Sequence, residues 1–265
     1  MANNMKQPKT AEDIINMVIA GKAIKNETFS ELDLSGTDLQ TAKFSNVTFY
    51  QVDFSGANLL NTVFENSVFN GVNLSQANCT STDLTGSFFI NANCNDTNFS
   101  QANLSNTVFL TENMPTTDSQ KIEIALEKTG LPESVLVNLE REGILGFVKG
   151  KACFSSANLS STKLTNAIFN GVQFDNAVFS EAQCDGSMFD LCSFVKADFA
   201  KAFLKKTNID ACNLGEANFD STRIDECEIS AVNLDDADLS QAIFNKVKFS
   251  NIDFTRMKAH FPIEM

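Results

Sequence analysis

Few side chains in this sequence could do acid–base, nucleophilic or metal chemistry, and their spacing favours none of the three. His260 is the only histidine. No Ser/His/Asp or Cys/His set can be assembled around it. The seven cysteines contain no CxxC pair, so a zinc site is not expected. No GxxxxGKS, GxxxxGKT or GxGxxG motif stands in a strand–helix setting, so no phosphate cradle is predicted. Asp and Asn recur throughout, but not as a paired acid and base. The expectation is a chain that is not an enzyme and carries no cofactor and no metal.

The one concentration of charge is acidic. Asp210, Glu216, Asp220, Asp225, Glu226, Glu228, Asp235, Asp236 and Asp238 follow closely, with Arg223 alone opposing them. Asp220, Asp225, Glu226, Glu228, Asp235 and Asp236 are candidate partner-binding residues, read either as a solvated face or as a surface for a cationic site. If they face outward on adjacent strands, several carboxylates would stack about 5 Å apart. The formal net charge of −13 argues against direct nucleic-acid binding, which needs cations to replace phosphate counterions. It suits solubility or a protein that normally holds DNA.

The elements that carry these residues follow from an unusual apolar composition: 24 Phe, no Trp and one Tyr, Tyr50. A thin core without spare hydrogen-bond partners would favour a bare ring. Stepping by five from Phe29 through Leu34, Leu39, Phe44 and Phe49 to Phe109 gives 17 consecutive Phe, Leu or Cys. Restarting at Phe154 gives 21 more apolar positions, ending at Phe254. Twenty of the 24 Phe lie in this register. Two residues earlier the side chain is small or β-branched, as at Ala57, Thr62, Ser67 and Ala102; Glu27 and Leu32 are exceptions. Between these positions Asn or Asp is frequent, as in Ala57-Asn58-Leu59. A period of five fits neither helix nor strand; it requires a corner in every repeat, which Asn, Asp, Ser and Gly suit.

This pattern resembles the pentapeptide-repeat family, whose motif is A(D/N)LXX, over residues 24–109 and 152–254. The resemblance implies an all-β solenoid: a right-handed quadrilateral β-helix with four repeats and about twenty residues per coil. Residues twenty apart would then stack, with Phe29, Phe49, Phe69, Phe89 and Phe109 in one ladder and Phe154, Phe174 and Phe194 beginning another. The 38 repeats make a rod of about 45 Å at roughly 4.8 Å per coil. Each buried Phe or Leu contributes about 1.5–3 kcal/mol. Cys79, Cys94 and Cys184 take the large inward position, and Cys192, Cys212 and Cys227 the small one, all as plain hydrophobes. Free thiols are expected, although Cys192 and Cys212 would stack.

Five segments are delimited: an amino-terminal tail and cap helix (1–22), a first repeat block (23–110), a helical insert (111–151), a second repeat block (152–254) and a tail (255–265). The cap helix spans 10–21. Thr10 and Asp13 form a box-like start, Ile14, Ile15, Val18 and Ile19 an apolar face, and Gly21 the stop. In the insert, one helix is predicted from Asp118 or Ser119 to about Lys128, and another from Pro132 to about Glu142. Its apolar residues, with Leu136, Leu139, Ile144 and Phe147 as candidate partner contacts, either plug the rod's side or project toward a partner. The tail, with Phe261, Pro262 and Ile263, caps the last coil or leaves that end for a partner.

The function expected is non-catalytic protein binding by a scaffold, adaptor or accessory factor. The opening Met17-Val18-Ile19-Ala20-Gly21-Lys22-Ala23-Ile24, followed by Phe29 to Leu34, is similar to bacterial pentapeptide proteins encoded with secretion machinery. Other family members are secreted effectors or regulators of differentiation. Some are acidic rods that occupy the DNA saddle of gyrase and protect it from quinolone-type poisons, usually as dimers joined through a carboxy-terminal element. Here Lys196, Lys201, Lys205 and Lys206 interrupt the acidic character. Self-association through the C-terminal end is expected to be the route to a homodimer. With no membrane span and no secretory leader, the expected location is the cytoplasm, where the cysteines stay reduced.

Overall fold

The structure is a computed structural model that describes residues 10–111 and 152–258. Among the described residues a single helix, α1 (Ala11–Ile19), precedes the repeats. Thr10 is its N-cap: the Asp13 N–H donates to Thr10 Oγ1 at 3.2 Å, and the Thr10 N–H donates back to Asp13 Oδ2 at 2.9 Å. Gly21 takes φ +64 and turns the chain away. Ile14 is fully buried against the first coils, with Ala11, Ile15, Met17 and Val18 packed around it. The expected apolar face is corrected at one position. Ile19 is 77 % exposed, because at 100° per residue it lies about 140° round the helix from Ile14.

The repeats wind into a parallel solenoid of about nine turns. Its largest sheet has ten strands: β2 (Thr28–Ser30), β4 (Thr48–Tyr50), β6 (Val68–Asn70), β7 (Phe88–Ile90), β8 (Val108–Leu110), β9 (Ile168–Asn170), β10 (Met188–Asp190), β12 (Asn208–Asp210), β14 (Glu228–Ser230) and β16 (Lys248–Ser250). A second side carries β1 (Ile24–Lys25), β3 (Lys43–Ser45) and β5 (Val63–Glu65) at one end, and β11 (Phe203–Lys205), β13 (Arg223–Asp225) and β15 (Ile243–Asn245) at the other. Every strand pairing is in register at twenty residues, as in Phe29↔Phe49 and Ile224↔Phe244, save that of β8 with β9, where Phe109 meets Phe169 at sixty; the bridges Asn93↔Cys153, Asn98↔Asn158 and Asn103↔Lys163 of the same coil make the same step. The two repeat stretches therefore form one continuous sheet. Ala152 N–H donates to Thr111 Oγ1 at 3.0 Å, so the chain returns where it left.

The five-residue period is explained by three repeating contacts. The large residue points inward, and the rings stack from coil to coil: Phe69–Phe89 and Phe89–Phe109 centroids are 4.3 and 4.2 Å apart. Phe154 continues a different ladder, 5.1 Å from Phe174, which lies 5.0 Å from Phe194. The small residue two positions earlier also points inward. When it is Thr, its hydroxyl donates to the carbonyl of a large residue, on the preceding coil for Thr62 to Leu39 at 2.9 Å and Thr97 to Leu74 at 2.7 Å, and on its own coil for Thr107 to Leu104 at 2.7 Å. Cys192 and Cys227 place thiols there, toward Phe169 O and Leu204 O at 3.5 and 3.2 Å. The Asn between them builds an outer column. Asn58 Nδ2 donates to Asp38 Oδ1 at 2.9 Å, while its own Oδ1 accepts from Asn78 Nδ2 at 3.2 Å. The corner comes two residues after the large one, in the left-handed region, where Asn and Gly are the most frequent residues: Asn61 φ 56, Gly56 φ 63.

Candidate functional site

The acidic run does not occupy one face. Residues 220–236 nearly complete one coil, and the repeat register of twenty residues per turn distributes them over every side. Asp220, Asp225 and Asp235 each follow an inward residue and open a corner. Glu226 and Asp236 sit at corners with φ 55 and 58. Glu228 lies on strand β14. Directly above and below Asp225 are Lys205 and Asn245; for Glu228 they are Asn208 and Lys248. The expected vertical stack of carboxylates among these candidates is thus replaced by mixed columns.

Four of the six have cations nearby. Arg256 reaches Asp235 at 2.8 Å and Asp236 at 3.8 Å, Lys248 reaches Glu228 at 2.7 Å, and Arg223 reaches Asp225 at 3.9 Å. These are exposed pairs of the kind that contribute about 0–1 kcal/mol. The hydrogen-bonded carboxylate of Glu228 raises the Lys248 ammonium above its ordinary pKa. The insert candidates Leu136, Leu139, Ile144 and Phe147, both predicted insert helices, and the tail beyond residue 258 lie outside the described residues.

The structure brings forward a cluster that the periodicity conceals. On the outer side of β11, β13 and β15, Phe203, Arg223 and Ile243 are Cα partners in one column. Phe203 is 43 % and Ile243 55 % exposed. Beside them a shallow depression is lined by Gln183, Asp185, Lys205 and Asp225. Aromatic residues and arginine are enriched at protein-binding interfaces, and here Phe203 and Arg223 stand side by side on a rigid strand ladder. The sequence contained a signal for it: Phe203 is one of the four Phe outside the repeat register. Asp225 and Glu226 adjoin this column; Asp220, Asp235 and Asp236 lie at other corners.

Six of the seven thiols point inward, and Cys153 stands at the outward middle position of its repeat, beside Gln173. All seven cysteines are free, and only Cys153 is less than fully buried. Burial pushes the Cys79, Cys94, Cys184 and Cys192 thiols well above the usual range. No helix among the described residues is long and apolar enough to cross a membrane.

Two family models match the chain, both described as pentapeptide repeats. One covers residues 28–59, 77–109, 157–194 and 222–256; the other covers 44–87. No curated protein matches. Among solved structures, the chain is similar to HetL of the cyanobacterium Nostoc sp. strain PCC 7120, a pentapeptide repeat protein involved in heterocyst differentiation regulation. The identity is 17 %, over 91 % of this chain and 94 % of that one, with a TM-score of 0.36. It is also similar to a trypsin-treated variant of QnrB1, a plasmid-mediated fluoroquinolone resistance protein, at 14 % identity over 86 % of this chain and 89 % of that one, with a TM-score of 0.40.

Proposed function

The chain belongs to the pentapeptide-repeat family, and on that premise we propose that it is a non-catalytic scaffold that binds a protein partner, as an adaptor or accessory factor of the kind found with secretion machinery. The observation that carries this reading is the exposed Phe203–Arg223–Ile243 column. A repeat scaffold holds such side chains at fixed spacing, so little ordering entropy is lost on binding. Reduced thiols fit a role inside the cell. A second reading, an acidic rod that takes the place of DNA on gyrase, is favoured by the net charge of −13 and draws on Glu226 and Asp236 at the corners.

The carboxy-terminal end is the proposed self-association edge. Strands β15 and β16 are the last in their sheets, and the inward side chains Phe244, Phe249 and Phe254 are only partly buried there. Light scattering that finds a monomer at every concentration would remove this part of the reading.

The test of function is a lysate pull-down with four baits: the intact chain, Phe203→Ala with Ile243→Ala, a chain lacking 112–151, and a chain with Asp225, Glu226, Asp235 and Asp236 changed to their amides. A partner lost with the Phe203/Ile243 bait supports the column. A partner lost only with the deletion moves the contact to the insert. Gyrase subunits lost with the amide bait establish the second reading. No partner with any bait refutes protein binding.

A further inference from the structure

Charge is divided between opposite sides of the last coils. The side bearing β11, β13 and β15 comprises residues 203–206, 223–226 and 243–246. It carries four cations, Lys205, Lys206, Arg223 and Lys246, against two acids, Asp225 and Glu226. Half a coil further on, residues 213–216, 233–236 and 253–256 form the opposite side. They carry Glu216, Asp235, Asp236 and Asp253 against Arg256 alone. A cationic side is thus set into a chain whose formal net charge is −13. All four cations are exposed, and they surround the exposed apolar pair Phe203 and Ile243. Arg223 lies between the two as the Cα partner of both. Lys206 and Lys246 stand at the adjoining corners, with φ 54 and 53. Among the described residues no ion pair engages Lys205, Lys206 or Lys246, and Arg223 meets Asp225 only at 3.9 Å, beyond hydrogen-bond length.

We propose that this side binds an acidic segment of a protein partner, one that carries apolar side chains among its carboxylates. The inference rests on the Phe203–Arg223–Ile243 column being the partner contact, and it adds what the partner must present there. Phe203 and Ile243 are two strand spacings apart, about 10 Å. That is the span of about three extended residues, so two apolar side chains of one short peptide reach both. Between them the Arg223 guanidinium has donors open to a carboxylate, which it can hold by two parallel hydrogen bonds. Lys205, Lys206 and Lys246 supply point charges at the margin for further carboxylates. The acidic remainder of the chain repels such a segment from the other sides and so directs it to this one. A nucleic acid fits less well, because its phosphates need a run of cations, and here Asp225 and Glu226 interrupt the run while apolar side chains hold its centre. A second copy fits less well too. Its acidic side presents Asn, Gly, Asp and Thr outward at 213, 215, 233, 235, 253 and 255, with nothing apolar to meet Phe203 and Ile243.

The test selects random short peptides displayed on phage against the intact full chain. Enriched peptides are then made with a fluorescein label and titrated by anisotropy. The enriched sequences should carry net negative charge together with large apolar residues, and their binding should weaken as salt is raised. Lys205→Gln, Lys206→Gln and Lys246→Gln made together should weaken binding at least about tenfold, as should Phe203→Ala with Ile243→Ala. All five positions are exposed, so thermal melts should be unchanged. Lys25→Gln with Lys43→Gln, exposed cations at the amino-terminal end of the rod, should leave binding within about twofold. Enriched peptides without net negative charge overturn the proposal, as does binding indifferent to the three Gln substitutions. If the Phe203/Ile243 variant still loses those peptides, the column itself stands as a partner contact. Peptides bound equally by both sets of variants remove the column as well. No enrichment on the intact chain overturns the proposal and leaves the column to the pull-down. Duplex DNA that displaces the peptides, or an intact chain that self-associates and becomes monomeric with the three Gln substitutions, overturns it by assigning the side to another occupant.

Discussion

Replacing Phe89 with Ala tests whether the stacked rings hold the rod together coil by coil. Phe89 is fully buried between Phe69 and Phe109, with centroids at 4.3 and 4.2 Å and ring planes within 3° and 11°. Truncation empties a site bounded above and below by flat rings that cannot collapse into it. The cost should fall at the upper end of the range for Phe→Ala, about 4–5 kcal/mol. Phe249 is the matched control. It occupies the same ladder on β16, the last strand of the sheet, is only partly buried, and meets Phe244 and Phe254 at 5.8 and 5.4 Å in inclined geometry. Phe249→Ala should cost about 1–2 kcal/mol. Because the chain has no Trp, guanidinium unfolding is best followed by far-UV circular dichroism. Equal costs at the two positions, or a Phe89→Ala cost under about 2 kcal/mol, would refute nearest-neighbour stacking as the source of stability.

Two further outcomes are expected. In native protein at mildly alkaline pH, a thiol reagent should label Cys153 quickly and the six buried cysteines slowly, with all seven reacting after denaturation under nonreducing conditions; six fast thiols would contradict the described packing. Ala211, a corner residue at φ 50, should be stabilised by about 1 kcal/mol on change to Gly. Gly86→Ala should be destabilising, since its φ is +68 and a Cβ there would sit 2.7 Å from Asn66 Oδ1; matched thermal melts that show the opposite signs would refute the corner assignment.

Much of the architecture was legible because a single chain period controls it. Phe, Leu or Ile every five residues, with a small residue two places earlier, admits one geometry, and Thr10 with Asp13 marks the cap helix by a local rule. The candidate site was less legible, because linear proximity misleads on a solenoid. Asp220 to Asp236 are neighbours in sequence, yet nearly one coil of twenty residues separates the first from the last, and the coil carries them round the rod. The relevant comparison is at twenty residues, where Asp225 meets Lys205 and Asn245. Ile19 is a similar case: it is apolar and helical but lies beyond the edge of the packed arc. Phe88 and Phe203 fall outside the five-residue register, so the repeat pattern alone gives them no place. Phe203 marks the open apolar surface on the second side of the rod.

The single sixty-residue step at Phe109↔Phe169 also has a kinetic meaning. Every other coil is laid down by closing twenty residues of chain onto the coil before it. Closing three times that length costs about (3/2)RT ln 3, roughly 0.6–1 kcal/mol of additional entropy. A growing rod should therefore pause at this seam by about three- to fivefold relative to its other steps. Coils on either side of β8 and β9 can nucleate separately and meet there, giving a chain of uniform repeats two folding origins instead of one.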